Sequence, residues 1–214
     1  MTDKIMMERL ELAVKTHDQA LLEEAFREAE QGGLGKDPVL KALTAGLDAV
    51  RERLGHHTAS IPEFLLAVDV LKQGIRRLDG LKSRKNTAAN QTTIVIGVVE
   101  GDVHDLGKNI VADVLAAYGY KILDLGRDVP CAHFIGEAVR SHASMLALSC
   151  MMSTPLENMR EIIAQSRKDL PEAAVLVGGA ALDERIAARV GADGYAASAV
   201  TVSEEVKRLL AGRR

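Results

Sequence analysis

The spacing of hydrophobic positions along this chain changes once. Over residues 1 to about 80 they recur every three or four residues. The stripes are Met6, Leu10, Ala13 and Val14; Leu21, Leu22, Ala25, Phe26 and Ala29; Leu40, Leu43, Leu47, Val50 and Leu54; then Phe64, Leu65, Val68, Leu71, Ile75 and Leu78. That period predicts four amphipathic helices. Gly32-Gly33 stops the second, and Asp37 with Pro38 starts the third as N-cap and first-turn proline. Gly55 ends the third, and Ser60-Ile61-Pro62-Glu63 opens the fourth as a capping box. Short connections between such helices predict an antiparallel four-helix bundle.

From Thr93 onward, short apolar runs alternate with helical stripes. Strands are predicted over Thr93–Val99, Lys121–Leu125, Met145–Ser149, Ala174–Val177 and Gly194–Ala197. Strands that are apolar on both faces, each followed by a helix, indicate a parallel sheet covered on both sides. The expected fold is α/β, a flavodoxin-like (Rossmann-type) five-stranded parallel sheet, behind an N-terminal four-helix bundle. Residues 82–92 are polar and aperiodic, as a linker would be. The expected domains are therefore 1–88 and 89–214.

Composition narrows the classes. Net charge is −3, there is no Trp, and only 3% of residues are aromatic. No basic stripe with interleaved aromatics is present, so no nucleic-acid partner is expected. Cys131 and Cys150 lie far apart without zinc-type spacing. No apolar run reaches membrane-spanning length, and the chain opens on a polar helix rather than a signal peptide. A cytoplasmic protein without membrane association is expected.

The candidate chemistry lies on the turns after the strands. The first turn is Gly101-Asp102-Val103-His104-Asp105-Leu106-Gly107-Lys108-Asn109, and the third carries Ser149-Cys150-Met151-Met152-Ser153. Gly178-Gly179-Ala180 follows the fourth strand, and Tyr195-Ala196 lies in the fifth. In open α/β sheets ligands bind outside these carboxyl ends. Neither a P-loop nor a Gly-x-Gly-x-x-Gly fingerprint is present. The first turn instead offers an imidazole beside Asp102 and Asp105, and a neighbouring carboxylate can hold a ring's tautomer and tune a metal ligand. Gly107 would let the chain enter its helix tightly, and Gly178-Gly179 would leave an open groove. A zinc or iron site lacks enough further ligands at matching strand ends. Ser149 is either a strand-end cap or a cofactor contact. Cys150 reads as a small buried hydrophobe. Tyr195 either contacts a ligand or packs beneath the sheet edge.

Asp102-x-His104-x-x-Gly107 resembles the Asp-x-His-x-x-Gly motif of cobalamin-binding domains. Ser149-Cys150-Met151 is similar to that family's Ser-x-Leu motif, with Met in place of Leu, and Gly178-Gly179 matches its third motif. The bundle ahead resembles the cap domain of cobalamin-dependent methionine synthase. The whole chain is similar to the free-standing corrinoid proteins of methylamine and methanol methyltransferase systems, although its first forty residues carry little that is diagnostic.

The resemblance implies cobalamin bound base-off/His-on. His104 would be the lower axial ligand of cobalt, with Asp102 bonded to its far side and Ser149 continuing the relay or bonding to the displaced base. Val103, Asp105, Gly107, Met151, Ser153, Gly178, Gly179, Ala180, Tyr195 and Ala196 would line the cofactor and its nucleotide tail. It implies a methyl carrier cycling between Co(I) and methyl-Co(III), with a proton joining the Asp102–His104 pair on demethylation. The partners implied are a substrate-specific corrinoid methyltransferase, a tetrahydrofolate- or thiol-dependent acceptor methyltransferase and a reductive activator of Co(II). The chain would be one subunit of an enzyme system, inactive without those partners.

Family caps often carry an aromatic residue two positions before the proline equivalent to Pro62. Here Ser60 stands there, so Phe64, Leu65 or Val68 become the candidates to cover the methyl group. The alternative is a cobalamin-dependent sensor or photoreceptor-type regulatory module. Those proteins add a helix-turn-helix, and none is readable in these residues.

Overall fold

The computed structural model describes residues 2–56, 58–78 and 92–212. The chain divides into two compact units, Met1–Lys85 and Asn86–Arg214. Apart from Thr92, the expected linker and the boundary at 88/89 lie outside the described residues.

The first unit contains α1 (Asp3–Lys15), α2 (Gln19–Gln31), α3 (Lys36–Gly55) and α4 (Ile61–Arg77). Most of their apolar stripes are buried, with Leu10, Leu22, Phe26, Leu43 and Leu71 fully inside. α3 starts two residues earlier than expected. Gly35 is its extended N-cap, and Asp37 and Pro38 fall within its first turn. A proline needs no N–H there, and a carboxylate near the helix N-terminus is favourable, so neither residue has to be the cap.

α4 begins as its sequence predicts. The Ser60 hydroxyl accepts the Glu63 N–H at 3.3 Å, and the Glu63 carboxylate accepts the Ser60 N–H at 2.7 Å. These bonds from the Ser60 backbone and side chain hold the Glu63 carboxyl below the ordinary carboxylate range. One face of α4 stays exposed and apolar at Ile61, Leu65 and Leu66.

The second unit is a parallel sheet. β1 (Thr93–Val98), β2 (Lys121–Asp124), β3 (Met145–Ser149), β4 (Ala174–Gly178) and β5 (Gly194–Ala196) lie in the order β2-β1-β3-β4-β5. The helices between and after them are α5 (Leu106–Ala117), α6 (Cys131–Arg140), α7 (Leu156–Asp169), α8 (Glu184–Val190) and α9 (Ala199–Ala211). β1 is buried at all six positions, whereas β2 is an edge strand with partly exposed residues. A core of Val95, Phe134, Leu146, Met159, Ile162 and Val175 fills one side of the sheet.

This order is flavodoxin-like. The chain reverses direction across the sheet between β1 and β3, which opens a crevice at their carboxyl ends. Val98 pairs with Ser149 at that point. The first and third turns therefore emerge side by side.

Ser60→Ala removes the N-cap acceptor and should lower the stability of the helical unit by about 1 kcal/mol, measured by urea unfolding of the full chain. The Glu63 carboxyl is depressed in the folded state, so its contribution is present above the ordinary carboxylate pKa. It should fade as pH falls through the lower folded value, and hydrogen exchange of the α4 amides would report that loss.

Candidate functional site

Asp102 organises the crevice. Its side chain has no solvent exposure, and three donors converge on it. Oδ1 accepts the backbone N–H of His104 at 3.0 Å and lies 2.7 Å from His104 Nδ1. Oδ2 accepts the Met151 N–H at 2.5 Å. One carboxylate thereby ties the turn after β1 to the turn after β3. Burial pushes its pKa up. The N–H groups of His104 and Met151, with the imidazole, more than offset that and leave the carboxyl below its ordinary range.

An ionised carboxylate can only accept, so Nδ1 of His104 carries the shared proton, and in the neutral imidazole Nε2 holds the lone pair. The imidazole is 55% exposed. Its position is therefore set by a buried anion, while the nitrogen able to bind a metal faces away from that anion. Among the described residues no three His, Cys, Asp or Glu side chains cluster to hold an ion. A single imidazole suits a metal that brings its other ligands in a macrocycle, and does not suit a bare zinc or iron ion.

The turn is held from outside as well. Gly101 adopts a left-handed backbone, with φ +85°, and donates its N–H to Asp128 Oδ1 at 2.7 Å. The Asp128 N–H reaches the Asp102 carbonyl at 3.1 Å. Asn158 Nδ2 donates to the Glu100 carbonyl at 2.8 Å. Asp105 caps α5 through its backbone only; its side chain makes no capping bond.

The other sequence-predicted positions reach the same sheet edge in different ways. Val103, Met151 and Met152 are exposed on these turns. Ser153 and Ala180 are also exposed, and the Ala180 N–H points to the Met151 sulfur at 3.4 Å. Ser149 is half-buried and contributes its backbone, its carbonyl accepting the Val99 N–H at 3.1 Å. Among the described residues no hydrogen bond joins its hydroxyl to Asp102; the Met151 N–H occupies that oxygen instead. Ala196 is half-buried in β5. The Tyr195 hydroxyl donates to the Leu182 carbonyl at 3.0 Å, and its ring packs against the core. Cys150 is buried, and desolvation pushes its thiol up to about 11, so it carries no thiolate at neutral pH.

Two glycines of the motifs do different work. A Cβ on Gly179 would lie 2.1 Å from the Cys150 carbonyl oxygen, and φ there is +121°. The space beside it is filled by the main chain of the β3 turn rather than left as an open groove. Gly107 is the opposite case. It has no left-handed backbone, and a Cβ there would meet nothing within 4 Å. The fold does not require glycine at 107.

The apolar candidates in the helical unit also separate. Leu65 is exposed, Phe64 is half-buried, and Val68 is 5% exposed within the bundle core. Val68 is already packed and cannot cover a group outside the bundle; Ile61 and Leu66 are the exposed apolar neighbours that the helical stripe had not singled out.

Sequence reasoning did not single out Lys108, Asp124 or Asp128. Lys108 left a readable trace, because it shares a helical face with Ala112 and Leu115. A charge in an apolar stripe implies a buried partner.

The profile of the family described as "B12 binding domain" matches residues 92–203. Trimethylamine corrinoid protein 1 of Methanosarcina mazei is 36% identical, over 92% of this chain and 94% of that protein. The dimethylamine corrinoid protein of Methanosarcina barkeri is 34% identical, over 90% and 89%. A cobalamin-binding protein from Desulfitobacterium hafniense DCB-2 has the same fold, with a TM-score of 0.71, 24% identity and 98% of both chains covered.

Gly179→Ala should cost about 2–5 kcal/mol, from overlap with the Cys150 main chain and a strained φ together. Gly107→Ala should leave the fold intact or stabilise it by up to about 1 kcal/mol. Urea denaturation of the two variants measures the contrast.

Proposed function

The chain belongs to the corrinoid proteins that carry a B12-binding domain, and on that premise we propose that it is a methyl carrier whose His104 binds cobalt from below. Cobalamin is the cofactor of this family, and a single imidazole held by a buried carboxylate suits a metal that brings its other ligands with it. The observation that carries the proposal is the Asp102–His104 pair at the switch point, with its buried carboxylate and exposed ring. The open position at Gly107 and the exposed Val103, Met151 and Met152 support it, since a corrin and its side chains would cover apolar surface and occupy vacant space.

The cofactor, when bound, supplies a cobalt centre that accepts and releases a methyl group. The protein's part is binding, orientation and charge. Asp102 fixes the proton on Nδ1 and so keeps Nε2 available as a ligand. It also stabilises positive charge on the ring, so a proton taken up when the ligand lets go would be held by the pair as a unit. The Met151 N–H competes for the same carboxylate and keeps it ionised and in place. Val103, Asp105, Gly107, Ser149, Met151, Ser153, Gly178, Gly179, Ala180, Tyr195 and Ala196 form the surroundings we assign to the cofactor and its nucleotide tail. Of these, Ser149 and Gly179 act through backbone placement, and Gly107 acts by leaving space.

The relatives are corrinoid proteins for trimethylamine and dimethylamine, so a methylated amine is the substrate class we assign to this chain's methyltransferase partner. A second methyltransferase, using a folate or a thiol, would remove the methyl group, and a reductive activator would rescue oxidised cobalt. The described part of the chain has no helix long and apolar enough to cross a membrane, and a cytoplasmic carrier is the reading we adopt.

Purified protein loaded with hydroxocobalamin should show a base-off/His-on absorption spectrum. His104→Ala should abolish the His-on spectrum; identical axial ligation in that variant would sink the ligand assignment. Gly107→Leu should keep the fold, judged by circular dichroism, yet weaken hydroxocobalamin binding at least tenfold. Methyl uptake by the reduced holoprotein should require an added methyltransferase, and uptake without one would contradict the carrier role.

A further inference from the structure

One charged cluster beside the site has no part in the mechanism above. Lys108, the third residue of α5, has a side chain only 1% exposed. Its ammonium lies 2.6 and 2.5 Å from the two oxygens of Asp124 and 2.6 Å from Asn109 Oδ1. Its donors are fully used. Stability alone does not call for such a pair, in which a buried ammonium meets a carboxylate that is 38% exposed, because apolar side chains of similar volume often replace a buried charge and its partner at no cost. What the pair supplies, and an apolar contact would not, is a fixed direction between two elements.

Those elements are the first turn of α5 and the end of β2. Asp124 closes β2 and also accepts the Gly126 N–H at 2.8 Å. The Gly126 carbonyl takes the Val98 N–H at 3.0 Å, and the Val129 N–H returns to the Val98 carbonyl at 3.0 Å. Between them Asp128 has a left-handed φ of 55°, a conformation uncommon for a residue with a Cβ. In that conformation its carboxylate takes the Gly101 N–H, and its own N–H takes the Asp102 carbonyl. The segment 124–128 therefore grips the His104 turn twice. Asp128 holds the residues before His104, and Asp124 holds the helix after it through Lys108.

We infer that Lys108, Asp124 and Asp128 are positioning residues that set how His104 presents its metal-binding nitrogen. The inference rests on the reading of His104 as cobalt ligand, and it makes the β2–α6 connection part of the ligand's support. None of the three has to touch the cofactor.

The test compares Lys108→Met, the double variant Lys108→Met with Asp124→Leu, and Asp128→Ala. Lys108→Met leaves the partly exposed Asp124 carboxylate to water and the Gly126 N–H; the double variant removes both charges. If the pair positions the ligand, the double variant should still bind hydroxocobalamin at least tenfold more weakly, in line with losses seen on removing outer supports of metal ligands. The nitrogen splitting from histidine in the electron paramagnetic resonance spectrum of its Co(II) form should also shrink or vanish. Wild-type affinity and wild-type splitting in the double variant would overturn the inference. Asp128→Ala leaves the ion pair in place and decides the matter if neither Lys108 variant folds, with wild-type splitting again the overturning result. The cofactor-free protein gives an independent readout. Amide exchange at His104 and Met151 should quicken at least tenfold in the double variant and in Asp128→Ala, and unchanged exchange would overturn the inference. Absence of nitrogen splitting in the wild type, or its persistence in His104→Ala, would instead count against the ligand reading while leaving the exchange result to judge the positioning.

Discussion

A carboxylate without solvent contact costs several kcal/mol to bury unless its oxygens are met by donors. Asp102 meets that condition only because two turns converge on it. The His104 backbone and ring supply one side, and the Met151 backbone supplies the other. Pulling either turn away would leave the anion unsatisfied. The requirement to satisfy Asp102 thus holds the switch point closed and the imidazole in one orientation at the same time. The side chain that orients the imidazole is also the one that ties the two turns together.

The glycines show how fold and ligand impose separate demands on one sheet edge. Gly179 is needed by the protein itself, since the main chain of Cys150 lies where a side chain would begin. It brings the third and fourth turns into contact, and the Cys150 N–H to Gly178 carbonyl bond at 3.0 Å continues that seam. Gly107 meets no such demand and faces vacancy. Met151 and Val103 stay exposed on the third and first turns, although apolar side chains gain nothing from water.

Both the bundle and the sheet were legible in the hydrophobic periodicity, and for a plain reason. Helical and extended segments must bury one face, and the interval between apolar residues records which face that is. The capping box at Ser60 was readable because its two hydrogen bonds are local. Asp37 was misjudged as a cap because capping and first-turn acids share a composition, and only backbone dihedrals separate them. Val68 was grouped with Leu65 because both lie on an apolar stripe, although a helix buries only the part of its stripe that a neighbour covers.

By itself, the sequence determined which elements form, that the strands are parallel, and that Asp102, His104 and Gly107 share one turn. Periodicity and short motifs are local, so they survive in one dimension. The tertiary structure alone decided what each residue does there. It assigned the second oxygen of Asp102 to the Met151 backbone rather than to Ser149, and it closed the space at Gly179 while leaving Gly107 open. It also paired Lys108 with Asp124, sixteen residues away. Each of these is a meeting between segments distant in sequence, set by strand order and by the cost of leaving a buried charge or N–H without a partner.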